Sequence, residues 1–166
     1  MEIVTSPEKL PEENEKGIRA LLLKSFRLTD LPPFDYCFTA IQDNEVIGSC
    51  ATVRRSIAVA EKTHDLFLLG LLAIEENHRN RGSGSALLQY VITYHMNQRA
   101  EGIILNCGRE KVSFYTANGF KVISEKAQYS RNGSIGEDND PVLLYPYFIH
   151  SIQDYFTDAV FLGTDF

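Results

Sequence analysis

Arg79, Asn80, Arg81, Gly82, Ser83, Gly84 and Ser85 form a run whose residue types and spacing suit the binding of an anion. The stretch before it, LFLLGLLAI, is apolar, and the stretch after it, SALLQYVITY, has helical character. Strand, short glycine-containing loop and helix therefore follow in that order. The first backbone N–H groups of a helix have no partner within the helix and carry partial positive charge, and glycines let an anion come close to the chain. The run reads as an anion cradle of phosphate size.

Two nucleotide readings of this loop fail on the residues present. A Walker loop needs Lys followed by Ser or Thr after its last glycine, and Gly84 is followed by Ser85 and Ala86. A dinucleotide fingerprint needs a third glycine where Leu87 stands, and a first strand early in the chain rather than in its middle. Cys37, Cys50 and Cys107 are odd in number, widely spaced and form no C-x-x-C pair, so neither a disulfide framework nor a zinc site is indicated. They are expected to be buried free thiols.

The elements that must position the loop follow from pattern. Residues 1–5 read as a short strand, and Pro7 and Pro11 punctuate a turn. Residues 12–26 carry Ile18, Leu21, Leu22 and Phe26 at helical spacing with Glu12, Glu13 and Glu15 at the start, where the helix dipole favours acids. Residues 35–42 and 45–54 read as strands joined at Asp43 and Asn44, and a polar break over residues 61–65 precedes the apolar strand. Beyond the helix of residues 85–99, residues 102–105 have the branching of a buried strand. Residues 110–118 read as helix ending at Gly119, and residues 120–127 as strand. Residues 131–141 read as a polar loop, and residues 142–147 as a last strand whose Pro146 suits an edge or an end. Residues 148–162 read as an aromatic-rich terminal helix. A meander followed by alternating strands and helices predicts an α/β chain in the α+β sense, with a mixed sheet and helices on its faces.

Leu72, Ala73 and Ile74 followed by Arg79-x-x-Gly82-x-Gly84 resemble the signature of the GNAT superfamily of acyl-CoA-dependent N-acyltransferases. A second signature of that family, an aromatic residue and Tyr before Gly-Phe, stands here as Phe114, Tyr115, Gly119 and Phe120. The resemblance covers residues 1–147. It implies the GNAT fold, with a mixed, mostly antiparallel central sheet of roughly six to seven strands flanked by helices. It implies acetyl-CoA as cosubstrate, a primary amine as acceptor, direct attack in a ternary complex and no metal. Leu72, Ala73 and Ile74 would pair through their backbone with the pantetheine arm like an added strand, their side chains in the core. Asn80, Arg81, Gly82, Ser83, Gly84 and Ser85 would hold the pyrophosphate, with Arg79 beside them.

By the same resemblance Tyr115 donates a proton to the departing thiolate. The general base is not supplied: the position that carries Glu in some members falls at Leu68, and a second at Gly70. Ordered water and backbone carbonyls are then the default acceptors, with His64 and Asp65 as side-chain candidates and Glu75 and Glu76 as solvated residues. Where the family often has an asparagine on the arm this chain has Gly108, and Asn106 is the candidate substitute. Cys107 has no adjacent histidine to activate it for a covalent route.

The length of 166 residues suits one domain over the whole chain, with residues 148–166 as an extension beyond the motifs. No apolar run approaches the roughly 20 residues of a membrane span, and the acidic start lacks the features of a signal peptide. No membrane and a cytoplasmic location are the expectations. The formal net charge is -6 and residues 132–166 hold acids without a single Lys or Arg, which argues against nucleic acid as partner. The acids and the tyrosines Tyr145, Tyr147 and Tyr155 favour a small cationic amine as acceptor. A protein lysine or N-terminal amine, or a non-catalytic acyl-CoA-binding module, remain alternatives. The tail is apolar enough for a homodimer contact, though packing on its own sheet is the simpler expectation.

Overall fold

Leu87, Leu88, Val91, Ile92 and His95 recur at the spacing of one helical face, and all five are buried in the helix that carries them, Ser83–Asn97. The computed structural model describes residues 1–59, 62–131, 134–147 and 159–164. Among these residues ten strands and three α-helices follow in order: β1 (Glu2–Pro7), α1 (Glu15–Phe26), β2 (Tyr36–Gln42), β3 (Glu45–Val59), β4 (Lys62–Ile74), α2 (Ser83–Asn97), β5 (Gly102–Asn106), α3 (Val112–Ala117), β6 (Lys121–Ser124), β7 (Ala127–Arg131), β8 (Ser134–Asp138), β9 (Val142–Pro146) and β10 (Val160–Thr164). Seven strands form one mixed sheet in the order β1-β2-β3-β4-β5-β9-β6, and β10-β7-β8 form a second. The expected mixed central sheet is the one observed, at the upper end of the expected strand number.

The chain divides into two compact units, Met1–Val53 with Leu69–Thr93, and Arg54–Leu68 with Tyr94–Phe166. In the first, Ile18, Leu21 and Leu22 of α1 pack with Cys37, Ala73 and Leu10, flanked by Leu31, Phe34, Val46 and Leu71. Phe26, expected on that buried face, is instead 42 % exposed. The second unit has its own core of Leu66, Leu68, Ile104, Ile123, Val142, Leu144 and Val160 with their neighbours. Antiparallel β5–β9 pairing runs from Gly102↔Pro146 to Asn106↔Val142.

Several boundaries differ from the pattern reading. Lys62, Thr63, His64 and Asp65, expected in a polar break, belong to β4. Residues 120–127 are not one strand: β6 and β7 lie in different sheets, separated at Glu125 and Lys126. Ser134–Asp138, expected as loop, is a strand paired with β7 and exposed at all five positions. With water on both faces it has no apolar alternation to betray it. β9 is neither last nor at an edge, since β5 and β6 flank it, and Pro146 sits at its end. Val160–Thr164 is strand β10, parallel to β7, so the expected terminal helix does not reach Val160; residues 148–158 lie outside the described residues. Among the described residues no helix is long and apolar enough to cross a membrane.

Candidate active site

The first unit carries the strand end, loop and helix start. β4 pairs with β5 in parallel over Leu66↔Gly102, Phe67↔Ile103 and Leu68↔Ile104, and the described register ends there. Leu71 then has φ 57, a left-handed conformation that a branched-chain residue inside a strand adopts only where the surroundings enforce it. After this kink come Leu72, Ala73 and Ile74. Ala73 is buried at 5 % exposure, as expected of a core side chain, while Leu72 and Ile74 are half-buried. On the other side β3 approaches closely: a Cβ at Gly48 would stand 2.6 Å from Ile74 Cδ1 and 3.3 Å from the Ala73 carbonyl oxygen. The triplet thus lies close against β3 at Gly48.

Glu75 turns the chain. Its N–H donates to the Ile47 carbonyl at 2.8 Å, and its carboxylate accepts the Glu76 N–H at 3.1 Å and the Lys24 ammonium at 3.0 Å. The hydrogen bond from Lys24 holds this carboxyl below its usual range. Glu75 is therefore a paired, capping residue and not the solvated one expected, whereas Glu76 is 73 % exposed in its side chain. A short 3-10 turn, Glu76–His78, leads to Arg79, whose Nε donates to the Ile74 carbonyl at 2.9 Å. Arg79 thus ties the loop back to the strand, a role beyond the expected added charge.

Asn80 and Gly82 have φ 57 and φ 85, both left-handed. Asn tolerates that region and Gly has no steric cost there, so the RNRG sequence permits the curl. The Gly82 carbonyl accepts the Ala86 N–H at 2.9 Å, the first turn of α2. By helix geometry the N–H groups of Ser83 and Gly84 are then beyond the reach of intrahelical acceptors, with the dipole of a 15-residue helix behind them. Arg81 and Gly82 are exposed, and nothing lies within 4 Å of a Cβ built at Gly82. The arrangement is open, cationic and rich in N–H donors, as a diphosphate requires.

The second unit carries the remaining candidates. Asn106 ends β5 opposite Val142, half-buried, and is followed by Cys107, whose thiol is pushed up to about 11 by burial and by the carboxylates of Asp140 and Glu110. That group is a thiol at neutral pH, not a nucleophilic thiolate. Cys37 and Cys50 are buried as expected, and burial raises both thiols, while Cys107 is only half-buried. Tyr115 lies on α3, half-buried, its ring 5.0 Å from Phe114 and 5.7 Å from Phe120 in edge-on contacts. Phe120 continues the row to Tyr145 at 5.4 Å, and Tyr145 to Tyr147 at 5.5 Å. The motif around Tyr115 is local in the sequence, whereas this row of rings is not, because Tyr145 and Tyr147 are distant in the chain.

No acidic side chain stands at the expected base positions, since Leu68 is 3 % exposed and residue 70 is glycine. His64 is buried at 7 %, its Nδ1 2.8 Å from Glu101 Oε2. Asp65 receives Arg54 Nε at 2.9 Å, which holds its carboxyl below the usual range. Both candidates are thus engaged in pairs that staple β4 to its neighbours.

A family model described as acetyltransferase (GNAT) domain matches residues 33–122, more than half of the chain. No curated protein sequence matches significantly. Among solved structures, a GNAT family N-acetyltransferase, YhbS, from Escherichia coli in complex with CoA is similar at 16 % identity and TM-score 0.63, over 96 % of this chain and 88 % of that one. Escherichia coli ElaA is similar at 11 % identity and TM-score 0.67, over 87 % and 99 %. An aminoglycoside acetyltransferase from an uncultured soil metagenomic sample, in complex with trehalose, is similar at 16 % identity and TM-score 0.56, over 71 % and 86 %. The match spans the triplet, the loop and Tyr115, and the shared fold extends it to most of the sequence: the chain belongs to the GNAT acetyltransferase family.

Proposed function

We propose that this acetyltransferase moves an acetyl group from acetyl-CoA to a primary amine by direct attack, with both substrates bound together. The observation that carries the reading is the succession of the kink at Leu71 near the end of β4, the left-handed turn at Asn80 and Gly82, and the N–H groups of Ser83 and Gly84 at the start of α2. Leu72, Ala73 and Ile74 offer backbone groups to the amides of the pantetheine arm, and Asn106 offers it a side-chain amide. The N–H groups from Asn80 to Ser85 and the guanidinium of Arg81 hold the pyrophosphate. Arg79 contributes charge while bracing the corner.

The amine nitrogen attacks the thioester carbonyl; the new C–N bond forms as the C–S bond breaks. Tyr115 gives its hydroxyl proton to the departing sulfur and regains one from solvent, and the ammonium proton leaves through water. The edge-on contacts with Phe114 and Phe120 fix the ring from which that proton comes. A small cationic acceptor is favoured by the tyrosines at 145 and 147 and by the acids at 137, 138 and 140. The fold likeness to an aminoglycoside acetyltransferase supports the same class, since aminoglycosides carry several amines.

Leu68 and Gly70 favour a second reading, a module that holds acyl-CoA without turnover. Thiol release from acetyl-CoA with polyamines, aminoglycosides, peptide N-termini and lysine peptides separates the two. Release that depends on a cationic small amine supports the proposal. Release only with uncharged, acidic or peptide acceptors sinks the acceptor class, and CoA binding without release across the panel selects the module.

A further inference from the structure

We infer that the Lys24–Glu75 ion pair is a positioning device that presets the anion loop and so tunes its affinity for CoA. This rests on the reading above that the loop holds the pyrophosphate. Glu75 is the residue at which β4 stops being strand. Three bonds converge on it: its N–H to the Ile47 carbonyl at 2.8 Å, its carboxylate from the Glu76 N–H at 3.1 Å, and its carboxylate from Lys24 Nζ at 3.0 Å. Lys24 comes from the last turn of α1, where a cation also suits the helix dipole, and Glu76 Oε2 lies 4.0 Å from it.

The corner is closed from the other side by Arg79, whose N–H reaches the Glu76 carbonyl at 3.2 Å and whose Nε reaches the Ile74 carbonyl. Residues 74–79 are therefore a small closed circuit, and among the described residues the long-range side-chain fastener on its acidic side is Lys24 of α1. Strand and loop must meet at a fixed angle if one linear molecule is to use the backbone of residues 72–74 and the N–H groups of residues 82–85. A corner free to swing lowers the fraction of chains ready to bind, and apparent affinity falls by that fraction. Lys24 and Glu75 are positioning residues in this account, and neither touches the reacting atoms.

The test is calorimetric titration of CoA into wild type, Lys24→Met, Glu75→Gln and the double variant at low salt. Each single substitution is expected to raise Kd roughly two- to fivefold, as for a half-exposed ion pair, and the double variant no more than the larger single. Glu75→Ala, which also removes the acceptor for the Glu76 N–H, is expected to raise it about five- to twentyfold. Lys24→Arg restores wild-type Kd, and high salt narrows the gap between wild type and Glu75→Gln. In turnover the change falls in KM for acetyl-CoA and not in kcat, which a general loss of folding would not produce. Unchanged Kd in the single variants, or additive losses in the double, overturns the inference while leaving the loop's role intact. Failure of wild type itself to bind CoA overturns the loop reading and this inference together.

Discussion

Tyr115 and Cys107 divide the chemistry between them by what surrounds each. Tyr115 is half-buried in a row of rings and is the candidate proton donor; Cys107 is held as a thiol by burial and two carboxylates. Removing one hydroxyl in Tyr115→Phe keeps the ring contacts and is expected to cut kcat by about a hundredfold or more, while Kd for CoA stays within about twofold. Stopped thiol-release assays paired with CoA titration check this, and equal kcat in the variant contradicts it. Cys107→Ala, by contrast, is expected to keep turnover within about threefold, because a thiol pushed up to about 11 supplies almost no thiolate near neutral pH. Loss of all activity in that variant points to a covalent route. At this scale the sequence is informative where local: a tyrosine before Gly-Phe and a loop of Arg, Asn and Gly carry their own geometry. It is silent where partners are far apart, which is why Glu75 reads as solvated although Lys24 holds it.

β4 is the element on which the account turns. Its apolar run and the helix after it are legible because LFLLGLLAI cannot remain exposed and the stripe of Leu87, Leu88, Val91, Ile92 and His95 repeats at helical spacing. The kink at Leu71 is not legible, since leucine has no preference for φ 57 and only the surrounding packing imposes it. Gly48 is equally hidden, because its reason lies in the strand opposite. Gly48→Ala puts a methyl group against Ile74 Cδ1 and the Ala73 carbonyl, and is expected to weaken CoA binding roughly threefold or more with a loss of stability near 1 kcal/mol. Gly82→Ala meets no neighbour and acts through its backbone alone, at φ 85, costing about 1 kcal/mol of loop stability with a matching fall in CoA affinity. Chemical denaturation and CoA titration of both variants check the pair. A gain of affinity in either one contradicts the assigned geometry.

For the whole molecule, α+β order and the central sheet follow from a meander giving way to alternating strands and helices. The strands β8 and β10 do not, because an exposed strand lacks alternation and a parallel partner such as β7 leaves no turn signal between them. Acid stability is a property at this scale. His95 is fully buried against Phe67, 3.8 Å between ring centres, and burial pulls its imidazole down to about 4. Its unfolded value is about 6.5, so between those two values the unfolded chain binds more protons and stability rises with pH. Acidification through that window is expected to remove on the order of 3 kcal/mol, and His95→Phe to flatten the slope. Thermal midpoints measured across that range check it; identical slopes in the two proteins contradict it.

The central claim, transfer by direct attack within a ternary complex, is tested most directly by an initial-velocity matrix of acetyl-CoA against a cationic amine, read as free CoA thiol. Intersecting lines are expected, with no CoA release in the absence of the amine. Parallel lines, with a burst of CoA in the absence of acceptor, would contradict it.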